Sequence, residues 1–264
     1  MSDTHEVFAI RYAHHDRRSP ENFLFGDPHD VLQPLAYYVW AIVGPHGAFV
    51  VDTGFDAEMA QRRGRDVVTP VGDGLSAIGV SPDAVEQVIV THLHYDHCGN
   101  HDLFPCARYH LQDEEMAYAT GRCMCHPVLR IPFEADDVVA MVRKVFGGRV
   151  VFHEGTWEMA PGITVHRLGG HSKGLQCVRV KTRRGHVVLA SDAAHLYAHV
   201  TERRVFPVTY NVGDVLEGYE TLMRLAESPD HVVPGHDPDV ARRYPAARPG
   251  LEGNAVRLDV APRD

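Results

Sequence analysis

At 264 residues the chain can bury a core without staples, and its 44% hydrophobic and 23% charged residues exclude a disordered or fibrous protein. A net charge of −9, from 26 Lys and Arg against 35 Asp and Glu, argues against nucleic acid as partner, since such binding rests on basic surfaces that neutralise phosphates. The 19 His exceed what packing needs, and imidazole is the commonest side chain for holding a transition metal at neutral pH.

Taken in chain order, EVFAIRYA, LAYYVWAIVG and GAFVVDTGF read as three early strands, rich in β-branched and aromatic residues and separated by Gly, Pro and Asp. A Gly-rich connection leads to a short helix start at Ser81-Pro82, a buried strand VIVT, and a loop that opens on His92. ARYHLQ is a further strand, DEEMAYAT a helix, and FEADDVVAMVRKVFGG a helix whose acidic start and basic end suit its dipole. GRCMCHPVLRIP between these helices reads as irregular. From Arg149 onward, RVVFHEG, ITVHRLGG, LQCVRVKT and HVVLASD are closely spaced strands, followed by a helix near DVLEGYETLMRLAES and a last strand in HVVPGH. The order is that of a layered α/β protein. No repeat or linker marks a boundary, so one domain over 1–264 is expected, with a partly helical insertion near 113–148 and an irregular tail after Tyr244.

The five cysteines are odd in number and lack the spacing of a disulfide framework, which points to reduced thiols in the cytoplasm. The N-terminal stretch has no apolar signal region and no segment approaches 18 uninterrupted apolar residues, so neither secretion nor a membrane span is expected.

The segment THLHYDHCGN places His92, His94, Asp96 and His97 within six residues, directly after a buried strand. His at alternate positions can point into one site while Asp96 and His97 address a second metal nearby. Three further polar positions follow apolar runs: His171 in GHS, Asp192 in SDA and His236 in PGH. Singly each could be a cap or turn residue. In the order HxHxDH, GH, SD, GH they resemble the motifs of the metallo-β-lactamase superfamily, from Asp52 to His236. That resemblance implies the four-layer αββα metallo-β-lactamase sandwich, an α/β fold. It places His92, His94 and His171 on one metal, Asp96, His97 and His236 on a second, and Asp192 between them, while Asp52 orients the ligand loop. Flavodiiron relatives carry Glu where this chain has His94, and the nitrogen-rich set suits two Zn2+ per chain, with Mn2+, Co2+ or Fe2+ as alternatives.

Within the superfamily the chain resembles the N-acyl homoserine lactonase and pyridoxolactonase-like branch through HLHYDHCGN, GGHSKGLQ and LASDAAHLY. The implied function is hydrolysis of a small lactone by a metal-bridging hydroxide, with Asp96 shuttling the proton. The lactonases carry Tyr three residues after the bridging Asp; here that position is His195, a candidate donor to the substrate carbonyl, with Tyr197 two residues on. A glyoxalase II-like thioesterase is the alternative enzyme, although the 28 residues after His236 are too few for its glutathione-binding region. A non-catalytic metal-binding protein is the alternative class. Met124 and Phe133, with Val128, Leu129 and Ile131, offer an apolar wall over the site. Cys123-Met124-Cys125-His126 lacks the CxxC pairs of a structural zinc site. His14-His15-Asp16-Arg17-Arg18 reads either as a solvated turn or as a rim loop meeting an anionic substrate group through Arg17 or Arg18. Expected partners are a small-molecule lactone, with no nucleic acid and no membrane; a homodimer is compatible with the chain.

Overall fold

A computed structural model describes residues 4–263. Strand β1 (Glu6–His15) pairs antiparallel with β2 (Leu35–Gly44), and β2 with β3 (Gly47–Val51). After β3 the Gly-rich connection is more ordered than its composition implies: it folds α1 (Ala57–Arg63), the two-residue β4 (Asp66–Val67) against β1, and α2 (Val71–Ala77). Asp56 caps α1 by accepting from the Met59 amide, and Gly64 closes it in the left-handed region. The chain then alternates through β5 (Gln87–Ile89), the single turn α3 (Tyr95–Cys98), β6 (Arg108–Gln112), α4 (Asp113–Thr120), α5 (Pro127–Arg130), α6 (Ala135–Phe146) and β7 (Val150–His153). Strands β3, β5, β6 and β7 are parallel neighbours, completing an eight-stranded sheet.

The second sheet has five strands: β8 (Thr156–Ala160), β9 (Ile163–Arg167), β10 (Gln176–Thr182), β11 (Gly185–Ser191) and, after α7 (Tyr197–Thr201) and α8 (Val212–Leu225), β12 (Val232–Pro234). Helix α9 (Pro238–Arg243) follows, and β13 (Ala255–Arg257) returns to the outer edge of the first sheet beside β1. The tail after Tyr244 is mostly turns, as its composition implies, but it is firmly attached: Val256 and Leu258 are buried, and β13 pairs the β1 edge that would otherwise be open.

Three apolar cores separate four layers. Period-2 alternation divides β2 between two of them, with Tyr38, Trp40 and Ile42 facing the second sheet and Tyr37, Val39 and Ala41 facing the helices. Val178, Val180, Val187 and Leu189 meet the first sheet from the other side. Val188 and Ala190 pack outward against Val215, Tyr219 and Leu222 of α8. A strand buried on both faces reads as a continuous apolar run, which is how LAYYVWAIVG and HVVLAS read. Helix–sheet–sheet–helix layering follows.

Candidate metal centre

The functional side chains stand in loops, and in the single turn α3, at one edge of the two sheets. His92, His94, Asp96 and His97 follow β5, Asp192 follows β11 and His236 follows β12, all at carboxyl ends of strands, while His171 lies in the β9–β10 connection. All seven are buried. They converge as two groups, His92, His94, His171 and Asp192, and Asp96, His97, Asp192 and His236. Asp192 divides its carboxylate between them. Its Oδ2 lies 3.1 Å from His171 Nε2 and 3.7 Å from His92 Nε2; its Oδ1 lies 3.0 Å from His97 Nε2 and 2.9 Å from His236 Nε2. Asp96 Oδ2 is 3.7 Å from His97 Nε2 and 3.8 Å from His236 Nε2. Ligands at about 2.0–2.1 Å around a tetrahedral cation stand about 3.3 Å apart, so these spacings fit one divalent ion in each group.

The ring nitrogens that face away from the centre are tied down. Asp52 sits after β3 at φ 62°, and its carboxylate accepts from the Thr91 amide (2.7 Å), the Thr91 hydroxyl (2.8 Å) and His97 Nδ1 (2.7 Å). The Thr91 oxygen in turn lies 3.1 Å from His92 Nδ1 and 2.8 Å from Ser191 Oγ. His236 Nδ1 donates to the Ala36 carbonyl at 2.9 Å. His92 and His97 thereby present Nε2 inward: that of His97 faces Asp192 Oδ1 at 3.0 Å, and that of His92 is buried without a hydrogen-bond partner. A metal is the natural occupant of such lone pairs, since buried polar atoms are rarely left unsatisfied. Gly235 is required beside them: a Cβ there would come within 2.6 Å of the Ser191 carbonyl.

The electrostatics lead to the same fit. Burial, then crowding by neighbouring imidazoles, holds His92 well below the ordinary value; burial, then His171, does so for His94. Both are kept neutral, the form that coordinates. Burial opposes charge on His97 and His236 as well, but Asp192 and Asp96 outweigh it and raise both. A cation takes over the role those protons serve, balancing the carboxylates.

His195, buried, places Nε2 3.1 Å from Asp192 Oδ2, with its ring stacked on Phe206 at 3.7 Å. Phe133 packs edge-on against the His94 ring at 4.6 Å, while Met124 joins the apolar core behind it. Tyr197 does not reach the centre. It begins α7, its ring lies beneath the Arg243 guanidinium at 4.7 Å, and it lines a separate apolar cavity with Val200, Met223 and Val232. The segment GRCMCHPVLRIP is less irregular than its sequence reads, forming a 3-10 turn at Arg122–Cys125 and α5; Ile131 and Pro132 beyond it wall the cavity over the metal ligands. Among the described residues the cysteines are all free, and none belongs to a metal-ligating group.

Glu115 escaped sequence reasoning. Fully buried in the first turn of α4, it accepts from the Leu93 amide (2.9 Å), Ser172 Oγ (2.7 Å) and the Gly174 amide (2.8 Å), joining the loop of His92–His97 to that of His171. DEEMAYAT gives no sign of this, because the acidic residues of a helix start ordinarily serve its dipole.

Residues 29–236 match the family model of the metallo-beta-lactamase superfamily. The chain belongs to that superfamily. It is similar to the N-acyl homoserine lactonase AttM of Azorhizobium caulinodans, with 28% identity over 240 residues covering 81% of this chain and 86% of the relative. The structure of an N-acyl homoserine lactone hydrolase with N-hexanoyl-L-homoserine bound at its metal centre superposes with a TM-score of 0.73 at 20% identity, covering 92% of this chain and 96% of the other. AidC, described as a dizinc quorum-quenching lactonase, superposes at 0.70 with 13% identity over 89% of each chain. At these identities the two structures establish the shared fold.

Proposed function

We propose that this protein is a dinuclear metal-dependent hydrolase that opens the ring of small lactones. The observation that carries the reading is the Asp192 carboxylate, one oxygen turned toward each of two nitrogen-rich groups. We assign His92, His94 and His171 to one metal, Asp96, His97 and His236 to the other, and Asp192 to both. Zinc is the metal this donor set favours: imidazole nitrogens and carboxylate oxygens without thiolate suit a redox-inert Lewis acid, and the dizinc relative supports the choice. Two such cations supply Lewis acidity to a carbonyl and bring the pKa of bound water toward neutrality.

The chain's own residues do the rest. Asp96 lines the cavity and engages the second group through one oxygen, which leaves the other to take the proton of the attacking water and return it to the departing ring oxygen. Leu35, Ile131, Pro132, Phe206 and Val208 wall the reacting centre from water, and Phe133 fixes the His94 ring from behind. His195 acts as a positioning residue that holds Asp192 through its Nε2 contact. A bridging carboxylate in place of the thiolate of zinc β-lactamases, and lactonase names among the relatives, support cyclic esters over β-lactams. The five free thiols fit a reducing compartment such as the cytoplasm.

The test is a panel of lactones, including N-acyl homoserine lactones, set against glutathione thioesters and a penicillin with zinc-loaded enzyme. Ring opening of lactones with little thioester or β-lactam cleavage is expected. Efficient thioester cleavage with inert lactones would move the protein to the thioesterase class.

A further inference from the structure

The cavity over the metal ligands, about 120 Å³, is not lined by ligands and apolar side chains alone. Arg17, Arg63 and Arg65 also face it. Arg63 is spent on structure: it pairs with Glu134 at 2.5 Å and donates to the Ile131 carbonyl at 2.9 Å, fastening the wall. The other two differ. Arg17, just beyond β1, donates Nη2 to the Glu21 carbonyl at 2.6 Å, while its Nε is buried without a partner. Arg65, between α1 and β4, donates Nε to the Tyr95 hydroxyl at 3.2 Å and Nη1 to the Arg63 carbonyl at 2.6 Å, and Nη1 lies 3.3 Å from His15 Nε2. Among the described residues neither makes an ion pair, although the Arg residues elsewhere on the surface commonly do.

Two partly buried guanidinium groups that line one cavity and lack a paired carboxylate form an electrostatic arrangement that the fold alone does not need. The nearby acids act on them only from beyond ion-pair distance. The Glu21 carboxylate accepts from the Arg18 amide, and Asp96 belongs to the metal centre. Arg18 itself turns away and pairs with Asp30 at 2.5 Å. His15 registers the local field: burial, then Arg65 and Arg17, lower its imidazole to about 4.

We propose that the substrate carries an anionic group, a carboxylate, held by Arg17 and Arg65 while its lactone carbonyl lies over the metal ligands. The inference rests on the lactone-hydrolase reading and narrows it, from neutral lactones to lactones with a carboxylate substituent. Guanidinium forks match carboxylates in geometry and charge, and a partly desolvated cavity strengthens the bond. Within one cavity the reacting centre and the anion site are adjacent, so the substrate is small: a five- or six-membered ring with the carboxylate on or next to it.

The test compares a butyrolactone carboxylic acid with its methyl ester, which has the same ring and no charge, on zinc-loaded enzyme. A charge-assisted bond of the usual strength gives the acid a kcat/KM advantage of about 10- to 100-fold. Arg17→Gln and Arg65→Gln should each reduce the acid-to-ester ratio, and the double substitution should bring it near one. Equal turnover of acid and ester by the wild type would overturn the anion site while leaving the lactonase reading intact. If neither compound is opened, the lactonase reading fails instead, and calorimetric titration with glutarate against butyrate then decides the anion site. Tighter glutarate binding that is lost in Arg65→Gln upholds it; equal affinities overturn it.

Discussion

Asp192 and His195 show how one residue position can hold two meanings. Their spacing along the chain, three residues, matches that between the bridging Asp and the carbonyl-binding Tyr of the lactonases, and by resemblance alone His195 is a substrate donor. In the folded protein its Nε2 is directed at Asp192 Oδ2 at 3.1 Å, and stacking on Phe206 fixes the ring there. A side chain that orients a metal ligand typically contributes about 10- to 100-fold to metal affinity or activity. His195→Ala is therefore expected to weaken metal retention by about that factor, measured by competition with a chromogenic chelator. Unchanged retention combined with a kcat loss of about 10² to 10³ would return His195 to the role of oxyanion donor.

Among the elements, strands were easier to read than helices. β2 and β3 announce themselves because their apolar runs are unbroken, and β1 because Arg11 alone interrupts its buried run from Val7 to Ala13. β8 does not: TWEMA is a short strand at the edge of its sheet, its polar–apolar alternation spans only Thr156 to Met159, and none of its residues is fully buried. α1 and α2 are hidden by their glycines and arginines, and β13 by its three residues, whose pairing with β1 spans most of the chain. The edge where the sheets meet carries its own chemistry. His110 of β6 stacks near Trp157 of β8, its Nε2 donating to Gln87 Oε1 at 2.7 Å and its Nδ1 lying 2.9 Å from His153 Nε2. Burial, followed by His153 and Arg108, lowers His110 to about 4 from 6.5. The sign follows from linkage: between these values the unfolded chain takes a proton that the folded protein refuses. Stability from this cluster is thus complete above pH 6.5 and is lost as pH falls toward 4. In urea unfolding of zinc-loaded protein, His110→Gln should lose about 1–2 kcal/mol less than wild type between pH 7 and pH 5. Parallel pH dependence of the two proteins would exclude His110 as a contributor.

At the scale of the molecule, the seven residues that converge in the two candidate groups were legible because their segments follow apolar runs and their order is distinctive. Their supporting contacts were not. Glu115 is separated from the His92–His97 loop by β6, and Arg17 and Arg65 approach each other only through the pairing of β1 with β4, so no local pattern records either arrangement. Tyr197 illustrates the opposite error, a residue close to Asp192 in sequence that the start of α7 turns toward another cavity. The four layers give each loop its place: parallel strands deliver their carboxyl ends to one edge, and the sheet-to-sheet core, dominated by Trp40, Ile42, Val178 and Leu189, fixes the two edges against each other.

The central claim is that the two groups sharing Asp192 would each hold a metal and that the protein so loaded opens an ester ring. Stepwise addition of zinc to metal-free protein, with ring opening of a butyrolactone carboxylic acid followed by the acid released, tests it most directly. The account predicts no turnover without metal and a plateau at two equivalents per chain, and it would be contradicted by full activity at one equivalent or by persistent activity after verified metal removal.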